Sequence, residues 1–253
     1  MHFDTPGCKT KIGFIDGYDD KVSFLKNKFI NSDCFLLAPG PSLGHVDDNL
    51  LKEKMKDKLV FCVKQAYDKY KDYVDFHFIN DCNIPDRQGY LYNTRKEPIV
   101  IASSGYDEAT AKRRLGHMQR WDIFCRVLDP LVYPDNNWGY ILENHNFEKG
   151  LFDNSCLRPC GPSITVETVI YMAVHLGVKN VYAIGWDTGD KIGEHFYKEK
   201  TCFSGSRDFE YKMVQKGSAP LYNWLKEHGV NLHLISNVSS LSKEIPRIGL
   251  EDV

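Results

Sequence analysis

The sequence predicts an α/β protein with a doubly wound, mostly parallel, Rossmann-like sheet. Three observations indicate this fold. Short apolar runs bounded by turn residues alternate with stretches of helical composition along most of the chain. Residues 163–187 form a complete helix–turn–strand unit. Polar residues directly follow several of the apolar runs, and the carboxyl ends of parallel strands lie at one edge of a sheet.

The predicted strands are short apolar runs bounded by turn residues. The first follows a mixed stretch at 21–30 that has the composition of a short helix. Cys125 lies in a further predicted strand. The main predicted strands are residues 34–38, 59–63, 75–79, 99–102, 181–186 and 231–235.

Helices are predicted between these strands, at residues 47–58, 65–73, 107–115 and 163–176. In the last of them Ser163 is the predicted N-cap, Glu167 places a carboxylate near the positive end of the helix dipole, and Gly177 ends the helix. Beyond the strand at 181–186, two shorter helices at 207–214 and 221–228 are predicted, interrupted by Gly217 and Pro220. The tail 237–248 is predicted to close the chain as a short helix.

Two segments lack a regular pattern and are predicted to cover the functional site. Residues 121–159 alternate aromatics, asparagines and glycines without a clear face. Residues 188–206 follow the strand at 181–186 and are rich in glycine and charge. Long irregular segments in a compact domain are typical of lids and substrate loops. We therefore expect one nucleotide-sugar-binding domain over residues 1–253, with these segments as its lid or substrate loops.

Composition excludes several other classes of protein. The chain has 253 residues, 32 Lys and Arg, 34 Asp and Glu, and a formal net charge of -2. A basic excess is typical of nucleic-acid binding, so no nucleic-acid partner is expected. No apolar run approaches the roughly 20 residues of a membrane span, and the first residues lack the hydrophobic core of a signal peptide. The expectation is a cytoplasmic protein, with peripheral association at the inner membrane face as an option.

The eight cysteines do not indicate a disulfide framework. Cys34, Cys62 and Cys125 lie inside apolar runs, where free thiols behave as small hydrophobic side chains. Cys156 and Cys160 are close in sequence but lack a second close pair or a histidine at zinc-finger spacing. No metal site is therefore expected.

The strand at 34–38 ends abruptly at Pro39-Gly40-Pro41-Ser42, before a polar stretch of helical composition. In a parallel sheet, backbone N–H groups at such a turn point toward ligands. The hypothesis is that Gly40, Pro41 and Ser42 bind the phosphate or sugar end of a nucleotide. The alternative is an ordinary strand-to-helix turn, because the sequence matches neither GxGxxG nor the P-loop.

Other polar residues end predicted strands: Lys64, Asn80 with Asp81, and Asp187. A carboxylate in this position can accept hydrogen bonds from ribose, and an asparagine can both donate and accept. Alternatively, Asp187 caps the loop that follows it, and Lys64 is a solvated residue that opens a helix.

His195 is the candidate general base among nine histidines. It lies eight residues after Asp187 in the sequence GEHFY, within the loop predicted to cross the strand ends. Histidine titrates near neutrality and commonly removes a proton from an attacking hydroxyl. The alternative is a surface histidine.

These features occur in an order that resembles a known family. APGPSL, LVFCVK, FIND, GPSITVETVIYMAVHLGVKNVYAIGWD and the segment from LYNWLKEHG to NVSSLSKEIP follow one another within residues 33–247. This arrangement resembles the sialyltransferases of glycosyltransferase family 42 and the related DUF115 or MptE-like proteins. The segment in the middle of the chain has no counterpart.

The resemblance implies an enzyme that transfers sialic acid, Kdo or a similar sugar from a CMP-activated donor to a glycan or glycolipid acceptor, without a required metal. It implies donor contacts at the turn, at Asn80, and at the Gly185–Asp187 motif. His195 would be the base, with Lys64 and Tyr197 as further catalytic residues. Together with the candidates from the residues themselves, the full set of predicted donor-binding residues is Gly40, Pro41, Ser42, Asn80, Asp81, Ser163, Thr165, Gly185, Asp187 and Thr188.

The sequence departs from the family pattern at Pro39 and Lys64, where asparagines are expected, and at Thr188, where a tyrosine is expected. Two alternatives therefore stay open. One is an MptE-like 6-hydroxymethylpterin diphosphokinase that uses ATP and Mg²⁺ held by Asp81 and Asp187. The other is a nucleotide-binding protein without catalytic activity. The acceptor and the oligomeric state are not predicted.

Overall fold

A computed structural model describes residues 4–80, 97–115, 120–128, 140–153, 156–159, 161–188, 196, 208–236 and 238–253. Within these residues the fold is a single sheet of eight parallel strands with helices on both faces, as the sequence predicts. The strand order is β6-β5-β4-β3-β2-β1-β7-β8. The strands are β1 Asp33–Leu37, β2 Leu59–Val63, β3 Phe76–Ile79, β4 Ile99–Ser104, β5 Ile123–Val127, β6 Leu157–Arg158, β7 Asn180–Ile184 and β8 Asn231–Leu234.

The helices connect the strands and cover both faces of the sheet. They are α1 Thr5–Gly13, α2 Tyr18–Leu25, α3 Asp48–Met55, α4 Ala66–Tyr70, α5 Glu108–Leu115, α6 Tyr140–Glu143, α7 Ile170–Leu176 and α8 Asp208–Glu227. A π-helical turn, Thr165–Val169, leads directly into α7. Short 3₁₀ turns lie at Pro41–Gly44, Phe147–Gly150 and Leu250–Asp252.

Strand β1 lies in the interior of the sheet, between β2 and β7. Its side chains alternate between two cores because successive residues of a strand point to opposite faces. Leu36 packs in the larger core with residues of α7 and α8, and Phe35 packs in the smaller core with Leu51 of α3 and Tyr67 of α4. Both strand faces are buried, which explains the continuous apolar runs of the sequence.

The segment 121–159, predicted to be irregular, contributes two strands to the sheet. Strand β5 continues the parallel order from β4, and β6 pairs with β5 through Arg126 and Val127. Strand β5 is partly exposed and β6 has only two residues, so neither shows the long apolar run that marked the central strands. A lid role for the remainder of this segment stays a prediction.

Two further expectations near the carboxyl end of the chain were wrong. Helix α8 continues through Gly217 and Pro220, because its buried positions recur at helical spacing across both residues. Pro220 cannot donate to the carbonyl of Lys216, but Lys216 is exposed and water can satisfy that carbonyl. The tail after β8 forms turns rather than a helix over its described residues from Val238 to Gly249.

Candidate functional site

The candidate site lies at the carboxyl edge of β1 and β7. These strands pair in parallel, with Leu37 opposite Ile184. After β1 the chain proceeds outward through β2 to β6, and after β7 it proceeds in the other direction to β8. The strand order therefore reverses between β1 and β7, and ligands of open α/β sheets bind at such a switch point.

The turn after β1 is held against the end of β7 by four hydrogen bonds. Ala38 N–H donates to the carbonyl of Ile184 at 2.8 Å, and Gly40 N–H to that of Gly185 at 2.9 Å. Gly185 N–H donates to Ser42 Oγ at 2.9 Å. Ser42 N–H donates to Asp187 Oδ2 at 2.7 Å. We call this set of contacts the clasp.

Both glycines of the clasp are required by its geometry. Gly185 has φ +79°, and a Cβ there would lie 1.9 Å from the carbonyl oxygen of Ala38. A Cβ on Gly40 would lie 2.2 Å from the carbonyl oxygen of Gly185. Real Cβ atoms do not approach backbone oxygens this closely. The glycines thus allow two protein segments to meet.

Asp187 joins three segments of the chain. Asp187 is only 4% exposed. Oδ2 accepts from Ser42 N–H, and Oδ1 accepts from Ser236 Oγ at 2.7 Å. Both partners lie outside the loop that follows Asp187, so these bonds do not support the loop-cap alternative, and they do not test the predicted ribose contact.

The turn offers few free backbone donors. The N–H groups of Gly40 and Ser42 take part in the clasp, Leu43 N–H donates to the carbonyl of Gly40, and Pro41 has no N–H. In this conformation a phosphate cannot be held by the N–H groups of these residues. A ligand at this turn must use other groups, which revises the phosphate-cradle hypothesis.

Lys64 follows β2 in a left-handed conformation, with φ +48°. Its N–H donates to the carbonyl of Phe78, and its carbonyl accepts from His77 Nε2 at 2.9 Å. His77 is fully buried and its ring stacks on Tyr67 at 4.5 Å between centroids. Burial lowers the pKa of His77 to about 3, so the ring is neutral near pH 7. The neutral histidine holds the unusual backbone of Lys64 in place.

Three of the predicted donor-binding residues carry a buried polar atom that has no hydrogen-bond partner in the described part of the chain. These atoms are Asn80 Oδ1, Ser163 Oγ and Thr188 Oγ1. The sequence predicts Ser163 as the N-cap of its helix, but the Ser163 side chain does not cap the helix. Unpartnered buried polar groups are rare in native proteins, and each calls for an explanation.

Thr188 combines this property with backbone strain. Its φ is +42°, a rare conformation for a β-branched residue. Its carbonyl accepts from Gln215 Nε2 at 2.9 Å, which helps to fix that conformation. Strain of this kind clusters at functional sites. Thr188 directly follows Asp187, so this strained residue and its hydroxyl lie beside the clasp.

Sequence reasoning missed a buried polar group at the other side of the carboxyl edge. Arg158 of β6 is 1% exposed, and its guanidinium lies 3.9 Å from the centre of the Phe152 ring. Its Nε donates to the carbonyl of Glu167 at 3.2 Å, while the carboxylate of Glu167 accepts from Ser103 Oγ. Glu167 and the buried Thr165 belong to the π-helical turn. No sequence pattern marks Arg158, because buried arginines are uncommon.

Asp81, His195 and Tyr197 lie outside the described residues. Phe196, which separates the last two in sequence, is described. Its N–H donates to the carbonyl of Pro39 at 3.0 Å, and its ring lies 5.9 Å from Lys69 Nζ. One residue of the predicted loop 188–206 therefore contacts the turn after β1. No helix in the described part of the chain is long and apolar enough to span a membrane.

The strand order and the flanking helices define the protein as an α/β protein with a Rossmann-like fold. Among solved structures, it is similar to the MAf glycosyltransferase from Magnetospirillum magneticum AMB-1, with a TM-score of 0.52 and 12% sequence identity. The alignment covers 88% of this chain and 34% of that chain, so this chain corresponds to about a third of that protein.

A second structural neighbour is the sialyltransferase CstII from Campylobacter jejuni, solved with the substrate analogue cytidine-5'-monophosphate. The TM-score is 0.41 and the identity 16%, over 86% of this chain and 87% of that chain. No protein-family model and no curated protein matches the sequence. The first of these structures shows a likeness of fold to a glycosyltransferase, and the comparisons give no support to the DUF115 or MptE-like part of the sequence resemblance.

Proposed function

We propose that this protein is a glycosyltransferase that moves sialic acid, Kdo or a similar sugar from a CMP-activated donor to a hydroxyl of a glycan or glycolipid acceptor. The glycosyltransferase-like fold supports the class of reaction. The observation that carries the proposal is the set of unpartnered polar atoms on Asn80, Ser163 and Thr188. A bound donor would supply the missing hydrogen bonds.

The separation of Asn80 and Thr188 along the carboxyl edge suits a nucleotide. Asn80 follows β3 and Thr188 lies shortly after β7, and β2 and β1 separate these strands. Three strand spacings of about 4.8 Å give a span of about 14 Å across the carboxyl edge. An extended nucleoside monophosphate can bridge such a distance. Asparagine and hydroxyl groups both donate and accept, as recognition of a base and a sugar requires.

The chemistry follows from the predicted catalytic residues. His195 accepts the proton of the acceptor hydroxyl as its oxygen attacks the anomeric carbon of the donor sugar. The bond from that carbon to the phosphate oxygen breaks, and CMP leaves with the bonding electrons. Lys64, at the end of β2, stabilises the departing phosphate, and Tyr197 supplies a further hydroxyl near it. CMP leaves as a stable anion, so this scheme needs no metal.

The diphosphokinase alternative requires Mg²⁺ at Asp81 and Asp187 to neutralise a triphosphate. Each oxygen of Asp187 already accepts a hydrogen bond from the protein, and the residue is almost fully buried. That carboxylate is poorly disposed toward a cation in this conformation. The structure therefore favours the CMP-sugar proposal over the alternative.

Thermal unfolding with a nucleotide panel tests the proposal. We expect CMP to raise the melting temperature more than CDP, UDP, ADP or ATP, because a ligand that binds only the native state stabilises it by mass action. The shift should persist in EDTA. A selective, magnesium-dependent ATP shift would instead support the diphosphokinase. CMP binding without product from any CMP-sugar and acceptor would support a non-catalytic nucleotide-binding protein.

A further inference from the structure

The tail after β8 is bonded to the end of β7 at three points. Ser236 Oγ donates to Asp187 Oδ1 at 2.7 Å. Ser240 N–H donates to the carbonyl of Asp187, and Ser239 Oγ to that of Trp186, both at 2.9 Å. Asp187 thus receives bonds from the tail on its backbone and side chain. Its other carboxylate oxygen receives the N–H of Ser42.

Arg247 holds this part of the tail in shape. Its guanidinium donates to four backbone carbonyls, those of Ser239, Leu241, Ser242 and Ile245. Arg247 also forms a parallel bridge with Leu234 of β8. On either side of it, Leu234 N–H donates to the carbonyl of Pro246 and Ile248 N–H to that of Leu234. Arg247 therefore ties the turns of the tail together beside the point where the tail pairs with β8.

We propose that Asp187 and Arg247 are positioning residues for the nucleotide site. Arg247 fixes the tail, the tail serines fix Asp187, and Asp187 fixes the turn at Ser42. In this view Asp187 acts on the nucleotide through the turn and does not bind the ribose. The proposal rests on the proposed function, because it assumes that the carboxyl edge binds CMP.

Burial and bond geometry argue for positioning over direct contact. Asp187 is 4% exposed, and both oxygens accept at 2.7 Å from protein donors. A ribose hydroxyl would have to reach a carboxylate enclosed by the turn and the tail. The hydroxyl of Thr188, the next residue, has no hydrogen-bond partner in the described part of the chain and is therefore the stronger candidate for a ligand contact.

Binding of CMP, 2'-deoxy-CMP and 3'-deoxy-CMP to wild type and to Asp187→Ala, which removes both carboxylate contacts, distinguishes the two roles. If Asp187 positions the turn, the variant binds all three nucleotides about tenfold more weakly, and their affinity ratios stay as in wild type. That factor corresponds to about 1.4 kcal/mol. If Asp187 instead binds a ribose hydroxyl, the variant binds CMP and the deoxy form that lacks this hydroxyl with equal affinity, while wild type prefers CMP. That result would overturn the proposal.

Variants in the tail test the same chain of contacts without touching Asp187. Ser236→Ala removes one donor to Asp187 and should weaken CMP binding several-fold, whereas Ser236→Thr keeps the hydroxyl and should restore most of the affinity. Arg247→Met should weaken CMP binding in the same way. Arg113→Met is the matched control, since Arg113 is exposed on α5 and its guanidinium donates to Thr110 Oγ1 in the same helix. Unchanged CMP affinity in both Ser236→Ala and Arg247→Met would contradict the proposal.

A double-mutant cycle on stability separates this inference from the proposed function. Asp187→Ala and Ser236→Ala should be non-additive in unfolding free energy, because each removes the hydrogen bond between these two side chains. If wild type does not bind CMP, the proposed function fails, and the claim that the tail acts on a nucleotide fails with it. An additive cycle would refute the link between the tail and the turn even when CMP binds.

Discussion

Replacement of Gly185 by alanine is expected to lower the free energy of unfolding by about 2–4 kcal/mol. Gly185 has φ +79°, where a Cβ is strained in any surroundings, and here the new atom would lie 1.9 Å from the carbonyl oxygen of Ala38. Either the clasp opens or the ends of β1 and β7 separate. Because β1 and β7 are interior strands of the sheet, either change would also disturb the strands that pair with them.

Chemical denaturation of wild type and Gly185→Ala measures this effect. Gly13→Ala is the control, because a Cβ at Gly13 of α1 meets nothing within 4 Å. That variant should keep wild-type stability or gain slightly, as alanine is the better helix former. If Gly185→Ala were as stable as Gly13→Ala, the clasp would not have the geometry described.

Replacement of His195 by alanine is expected to lower kcat for sugar transfer by about 10²–10⁴-fold, the usual contribution of a general base. The variant should keep the CMP affinity and thermal stability of the wild type, because the proposed role concerns the acceptor proton alone. His45→Ala is the control, since His45 is exposed beside the turn after β1. Near-normal transfer by a folded His195→Ala protein would refute the general-base role.

The central part of the fold could be predicted from sequence because it is buried on both faces. Strands β1, β2, β3 and β7 read as continuous apolar runs, and their positions needed no tertiary information. Strand β5 gave a weaker signal, a short apolar run around Cys125, since it is partly exposed, and β6 gave none, since it has two residues. Their place in the sheet comes from pairing with a neighbour, which no local pattern records.

The candidate site could be predicted in part for a similar reason. Polar residues at the ends of buried strands pointed to Asn80, Lys64 and Asp187, all of which follow a strand of the sheet. The sequence could not show that Ser236, 49 residues from Asp187, shares its carboxylate with Ser42. It also could not show that the turn's N–H groups are already engaged. Such facts depend on long-range hydrogen bonds, which local composition does not encode.

The central claim is that the unpartnered hydroxyls at the carboxyl edge bind the donor nucleotide. A calorimetric titration of CMP into wild type and into the double variant Ser163→Ala/Thr188→Val tests it most directly. Both substitutions remove a buried hydroxyl without a partner in the described chain, so unfolding free energy should not fall. We predict that wild type binds CMP and that the variant, equally stable, binds it at least about tenfold more weakly. Equal CMP affinity in the two proteins, or no binding to wild type, would contradict the account.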